Sequence, residues 1–362
     1  MNNRPLMAFK LHNPTGMANH LMSLEIGLGL QYVLGYKKAV FYHCGSSNPH
    51  PWDQSHISKF IDRACPVPRI LDLVDLPDFA VDNLYLDIPV VHPEHFDREL
   101  LERFTFHFGE TKVKQVTAFN CVSVGPRTEG DDQFLGLRSV FDCDRTKDVN
   151  FVGANLAFYS RFFMNRTKEF DLMLSQIRWK AEYVELAARV AESIGPFNGA
   201  HARLTDHTHN YSLLPEAYSE GINKLKDVDK LPLVICTDDP NNAMFKGRTP
   251  NALLVNDIIN NSFGADFAAL PFTDSVAYGL VSMLVMFHAQ DFVGTPGSTY
   301  TGLIHRAINQ RGQCNFNFWR EDNLRKFDKG LHSWSDWSLS GRDPSIESWW
   351  REWPESRLQI DV

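Results

Sequence analysis

The chain has 362 residues, 22% of them charged and 43% hydrophobic, a folded-protein composition that excludes a disordered chain or a fibre. At ~150 residues per domain this length makes two domains or one large one. Lys and Arg total 36 against 44 Asp and Glu, a formal net charge of −8, which argues against a globally basic nucleic-acid footprint but leaves room for a local basic groove that takes an anion.

In chain order, residues 7–11 read as a short strand, and His12-Asn13-Pro14-Thr15-Gly16 is turn chemistry. Met17, Leu21, Leu24 and Leu28 follow at helical spacing, with Met22, Ile26 and Leu30 on a second side, so this helix is expected to be buried on most of its girth. Residues 39–42 are the next strand, which completes a βαβ unit. Residues 44–150 are rich in Pro, Asp and Phe and read as short helices and long loops. Residues 170–194 are helical up to the stop at Gly195-Pro196, where the domain boundary is placed. Beyond it, residues 199–204, 231–236, 267–270 and 291–294 read as strands, and 214–226, 274–288 and 299–309 as helices. That alternation predicts a second parallel sheet. The expected architecture is α/β, with Rossmann-like domains at 1–195 and 196–330 facing a cleft, and a tail at 331–362. Ligands of such sheets sit beyond the carboxyl ends of the strands.

Three segments lie at those ends. The first joins Gly16, which lets backbone approach a ligand, to Asn19, an amide that both donates and accepts; it is equally an ordinary βα turn. The second is His201-Ala202-Arg203-Leu204-Thr205-Asp206, where Arg203 is placed to clamp a diphosphate bidentately and Asp206 to orient it or bind a sugar. Its bland alternative is a solvated edge strand with a salt bridge. His207 and His209, lacking carboxylate or thiol partners, read as surface residues. The third runs from Asp291 to Tyr300 and places Ser298 as the N-cap of the next helix. The hydroxyls of Ser298 and Thr299 and the first helical N–H groups suit an anion there, and Tyr300 suits stacking on a base.

Taken together and in this order, the three segments resemble those of the GDP-fucose protein O-fucosyltransferase superfamily over roughly residues 7–310. The matching residues are Gly16 with Asn19, His201 to Asp206, and Phe292 to Tyr300, the last being the most specific. The resemblance implies a GT-B-like fold and inverting transfer of L-fucose from GDP-fucose to a hydroxyl of a glycan or protein, with no essential metal. It also implies that Arg203 contacts the diphosphate and that Ser298 and Thr299 contact its phosphates. With the residue chemistry above, the expected catalytic set is Arg203, Asn19 and Asp206, and the nucleotide-sugar set Gly16, His201, Arg203, Ser298, Thr299 and Tyr300. Ser282 stands where related enzymes carry a purine-contacting acid, and Thr15 where some carry a loop acid. Asp206, His20 and Glu25 are the candidates for a base. The alternatives are transfer of another deoxysugar such as rhamnose from a different nucleotide, and a non-catalytic sugar-nucleotide or glycan binder.

Asp238-Asp239 after an apolar strand can hold Mg²⁺ with a diphosphate, but reads better as an acidic turn. Five of the eight Trp fall after residue 330 and read as anchors of a tail packing back across the domains, or as a sugar-stacking platform. Six scattered Cys without a Cys-x-x-Cys pair read as reduced thiols. Residues 1–10 lack a secretory layout, and no apolar run approaches the ~18 residues of a membrane span, so a cytoplasmic location is expected.

Overall fold

The computed structural model describes residues 6–10, 17–34, 36–44, 70–88, 113–114, 149–153, 176–204, 215–239, 241, 252–295, 298–310 and 317–318. The chain divides into two compact units, Met1–Arg178 and Trp179–Val362.

In the first unit, β1 (Leu6–Lys10) leads through α1 (Met17–Leu34) to β2 (Ala39–Cys44). Then come α2 (Ile70–Leu73), β3 (Val74–Asp75), β4 (Leu84–Ile88), β5 (Val113–Lys114) and β6 (Val149–Gly153). A five-stranded sheet of order β4-β2-β1-β6-β5 forms with every pair parallel. The first side expected of α1 is buried, at Met17, Leu21, Leu24 and Leu28, and so are His20, Glu25 and Gln31; the side chains of Met22, Ile26 and Leu30 on the second side lie outside the description. Burial of an amide calls for a partner, and Gln31 has one. It exchanges two hydrogen bonds with Asn83, of 2.9 and 2.7 Å, while Asn83 Oδ1 also accepts from the Ala39 N–H at 2.8 Å. One side chain thus fixes the end of α1 against the start of β2. Phe41 and Tyr85, opposite one another on β2 and β4, stack at 5.3 Å.

The second unit begins at Trp179, within β7 (Arg178–Trp179), and goes on with α3 (Ala181–Ile194) and β8 (Asn198–Ala202). It continues with α4 (Pro215–Asn223), β9 (Leu233–Thr237), β10 (Ala252–Leu254), α5 (Val255–Ser262) and α6 (Gly264–Ala268). It closes with α7 (Ser275–Met286), β11 (Asp291–Gly294), α8 (Thr299–Gln310) and β12 (Asn317–Phe318). The sheet order is β10-β9-β8-β11-β12, again wholly parallel. Every residue of β8 is buried, as a central strand covered on both faces requires. Its small residues allow close packing: a Cβ on Gly199 would lie 3.0 Å from Ala289, Met286 and Phe292 side chains. Ala200, Ala202, Ile222, Leu233 and Ile235 form a core cluster with Val293.

The compact units part ahead of α3, whereas the sequence reading placed the boundary after it. Tyr183, Leu186, Ala187 and Val190 of α3 are buried, and the helix packs on α7 of the second unit. The stop itself is as read: Gly195, at φ 75°, donates its N–H to the Ala191 and Glu192 carbonyls. A second difference lies at 267–270, which is the end of α6 and a turn instead of a strand. Phe267 points inward against Tyr278, but Ala268 and Ala269 are exposed, so no strand-like alternation exists there. The edge position beside β9 belongs to β10. The region 154–175 and the Trp-rich tail lie outside the described residues.

Candidate functional site

Both sheets change direction. In the second unit the chain runs outward from β8 through β9 to β10, then returns to place β11 on the other side of β8. The crevice beyond the carboxyl ends of β8 and β11 is therefore the topological switch point, where open parallel sheets take their ligands. In the first unit the equivalent point lies between β1 and β6.

Two of the three segments singled out from sequence end at the β8–β11 switch point. β8 ends at Ala202, and half-buried Arg203 is the first residue beyond it. β11 ends at Gly294, followed by Thr295 and, at Thr299, the start of α8. The Thr295 hydroxyl donates to the His201 carbonyl at 2.9 Å and accepts from the Arg203 N–H at 3.1 Å. The Thr295 N–H donates to Thr301 Oγ1 at 3.1 Å, and Thr301 Oγ1 lies 2.7 Å from His201 Nδ1. Ser298 caps α8 as expected: its carbonyl accepts from the Gly302 N–H at 3.0 Å, and its Oγ lies 3.5 Å from the Thr301 N–H.

A second group supports this layer from within. The His201 ring lies 4.7 Å from that of Tyr300. The Tyr300 hydroxyl donates to the Gly279 carbonyl at 2.7 Å and sits 3.2 Å from Cys236 Sγ. With the phenolic hydrogen committed to Gly279, the thiol is the donor in that second contact. Cys236 faces His201 across the β8–β9 ladder. Burial pushes its thiol up to about 12 and raises the Tyr300 hydroxyl as well, so both stay protonated. Tyr300, expected to stack on a base, directs its hydroxyl inward and lays its ring on His201. Ser282 is buried and hydrogen-bonded to Cys236, so this serine belongs to the core under the site.

Asp238 accepts from the Leu204 N–H at 2.6 Å, and the Asp239 N–H donates to Thr237 Oγ1 at 3.1 Å. This pair is a turn that ties the end of β9 to the residue following Arg203. Among the described residues no group of His, Cys, Asp and Glu has the arrangement of a metal site. Nor is any helix among them long and apolar enough to cross a membrane.

Of the other sequence candidates, Asn19 falls in the first turn of α1, at the switch-point end of β1. His20 and Glu25 are both buried in the first unit. Gly16, Thr15, Asp206, His207 and His209 lie outside the described residues. Sequence reasoning gave no role to Gly294, Thr295 or Thr301. A Cβ on Gly294 would overlap Thr301 Cγ2 and lie 2.8 Å from its Oγ1, so only glycine admits the threonine there. The available signal was the Gly-Thr step itself, at the end of an apolar strand and before a cap.

No family model matches this chain, and no curated protein matches it. Solved structures do. NodZ alpha-1,6-fucosyltransferase soaked with GDP-fucose has TM-score 0.45 and 14% identity, over 85% of this chain and 93% of that one. POFUT1 in complex with GDP has TM-score 0.44 and 12% identity, over 88% of this chain and 99% of that one. Fucosyltransferase NodZ from Bradyrhizobium has TM-score 0.43 and 14% identity, over 84% and 93%. The two NodZ structures among these are of a fucosyltransferase, and each of the three covers more than four fifths of this chain.

Proposed function

We propose that the chain is a glycosyltransferase that moves L-fucose from GDP-fucose to a hydroxyl of a glycan or protein, with its two parallel-sheet units as the halves of a GT-B-like enzyme. The observation that carries this is the joining of Arg203 to the approach of α8 at a switch point, by hydrogen bonds through Thr295. Guanidinium and helix N-terminus are the two protein groups best suited to a diphosphate. Support also comes from the sequence resemblance of the same two segments.

In this reading Arg203 holds the diphosphate and takes up the charge that develops on it as the sugar leaves. Ser298 and Thr299, at the start of α8, serve the phosphates. The C1–O bond to GDP breaks, and the acceptor oxygen bonds to C1 from the opposite face. The acceptor proton passes to a base, for which Asp206 is the proposed group, and Asn19 orients the acceptor side. No metal is required, because arginine and the helix N-terminus supply the positive field.

The test couples binding to turnover. GDP at ~100 Kd is expected to stabilise the fold by ~2.7 kcal/mol relative to the free protein, and at equal concentration to raise the melting temperature more than UDP or dTDP does. Wild-type protein should release fucose from GDP-fucose in EDTA, and Arg203→Ala should lower that rate by about 10²–10³. Arg203→Lys should rescue poorly, since the bidentate fork is lost. A larger shift with UDP or dTDP replaces GDP-fucose with another deoxysugar donor. Protection of the donor without release of sugar makes the protein a binder. Loss of activity in EDTA that Mg²⁺ restores overturns the metal-free reading.

A further inference from the structure

We infer that Thr295 is a positioning residue for Arg203, acting on turnover through the backbone of the β8 end; the inference rests on the donor reading above. The β8–β11 ladder pairs Asp291 with Asn198, Phe292 with Gly199 and Val293 with Ala200. Beyond that last pair, the Thr295 side chain joins the β11 side to the β8 end. Its single hydrogen goes to the His201 carbonyl and its lone pair receives the Arg203 N–H, so one hydroxyl brackets the turn on both sides.

The geometry of this bracket is fixed from behind. The Thr295 N–H is held by Thr301 Oγ1, which also meets His201 Nδ1. Thr295 is fully buried, so water does not compete for these bonds. Only a hydroxyl on a residue at this place both donates and accepts. Valine has the same shape and does neither, so Thr295→Val removes both of these ties to the Arg203 turn. A misplacement of about 1 Å at a catalytic group costs about 10² in rate.

The experiment compares Thr295→Val, Thr295→Ser, Arg203→Ala and Tyr278→Phe for release of fucose from GDP-fucose and for melting temperature. Tyr278 donates to the Asn256 carbonyl at 2.8 Å and controls for loss of a hydroxyl hydrogen bond elsewhere in the second unit. Thr295→Val is expected to lose about 10² in kcat, while Thr295→Ser and Tyr278→Phe stay close to wild type. Rescue by serine marks positioning, because serine keeps both bonds and loses only a methyl. Thr295→Val as active as Tyr278→Phe, or Thr295→Ser as impaired as Thr295→Val, overturns the inference. If Arg203→Ala is inactive in that case, the donor reading survives. Wild-type activity in Arg203→Ala overturns both.

Discussion

A single hydrogen atom decides what stands at position 294. The Thr301 side chain occupies the space where a Cβ would project, and Thr301 in turn holds both Thr295 and His201. Gly294→Ala is therefore expected to lower stability by about 1–3 kcal/mol, the usual range for overpacking, and to diminish the GDP-induced shift. Adding Thr301→Ser removes the clashing methyl and keeps the hydroxyl, so the double variant should recover much of the loss. Melting curves of the two singles and the double measure that coupling, and additive losses would refute it. Below this layer, Cys236 carries a pH signature. Its thiol rises from an ordinary 9.0 to about 12 because burial disfavours the thiolate. Below the unfolded value both states hold the proton and nothing changes. As pH rises from there toward the folded value, the unfolded chain releases its proton and the folded chain keeps it, so stability falls. Burial of the Tyr300 hydroxyl acts in the same direction. Urea midpoints from about pH 8 to about pH 11 should fall more steeply for wild type than for Cys236→Ala.

Two helix starts in the second unit show how differently a cap can be used. Asp274 precedes α7 and accepts from the Val276 and Ala277 N–H groups, each at 3.0 Å. Ser298 precedes α8 and meets the Thr301 N–H only at 3.5 Å. Asp274→Ala should cost ~1 kcal/mol and leave the GDP-induced shift intact, whereas Ser298→Ala should cost less and reduce that shift. Equal nucleotide shifts in the two variants would make α8 a plain helix start. At this scale much was legible from sequence. The α7 stretch and the cap-then-helix pattern at 298–310 stand close to where they were read, because long apolar periodicity and capping chemistry are local. β10 and α5 were not read: Ala252, Leu253, Leu254 and Val255 form one short apolar run that divides between strand and helix, and such a run has no period of its own. Phe-Ala-Ala-Leu at 267–270 offered the opposite lure, a strand-like run whose apolar residues, Phe267 apart, are not buried.

Across the whole molecule, alternating strands and helices announced the second parallel sheet and the β1-α1-β2 start of the first. By contrast, β4, β5 and the start of β6 fall in residues 44–150, read as short helices and long loops because no periodicity marks a strand there. The chemistry-bearing residues beyond the strand ends were visible as residue types. What joins them was not. Thr295 meets Arg203 across 92 positions and Thr301 meets His201 across 100, and no local pattern encodes a contact at that separation. Likewise the amphipathic α3 announced a helix without saying that its partner would be α7, on the far side of the boundary first drawn. The order of strands in the second sheet has a consequence for how the protein is made. β8, β9 and β10 leave the ribosome well before β11, yet β8 needs β11 to cover its other side. Synthesis at about 5–20 residues per second puts that wait at roughly 5–20 s. During it, the strand that leads into Arg203 stands as a bare edge, a template for pairing with another nascent chain. The crevice thus arrives last, and the growing polypeptide is most in need of a chaperone just before its site exists.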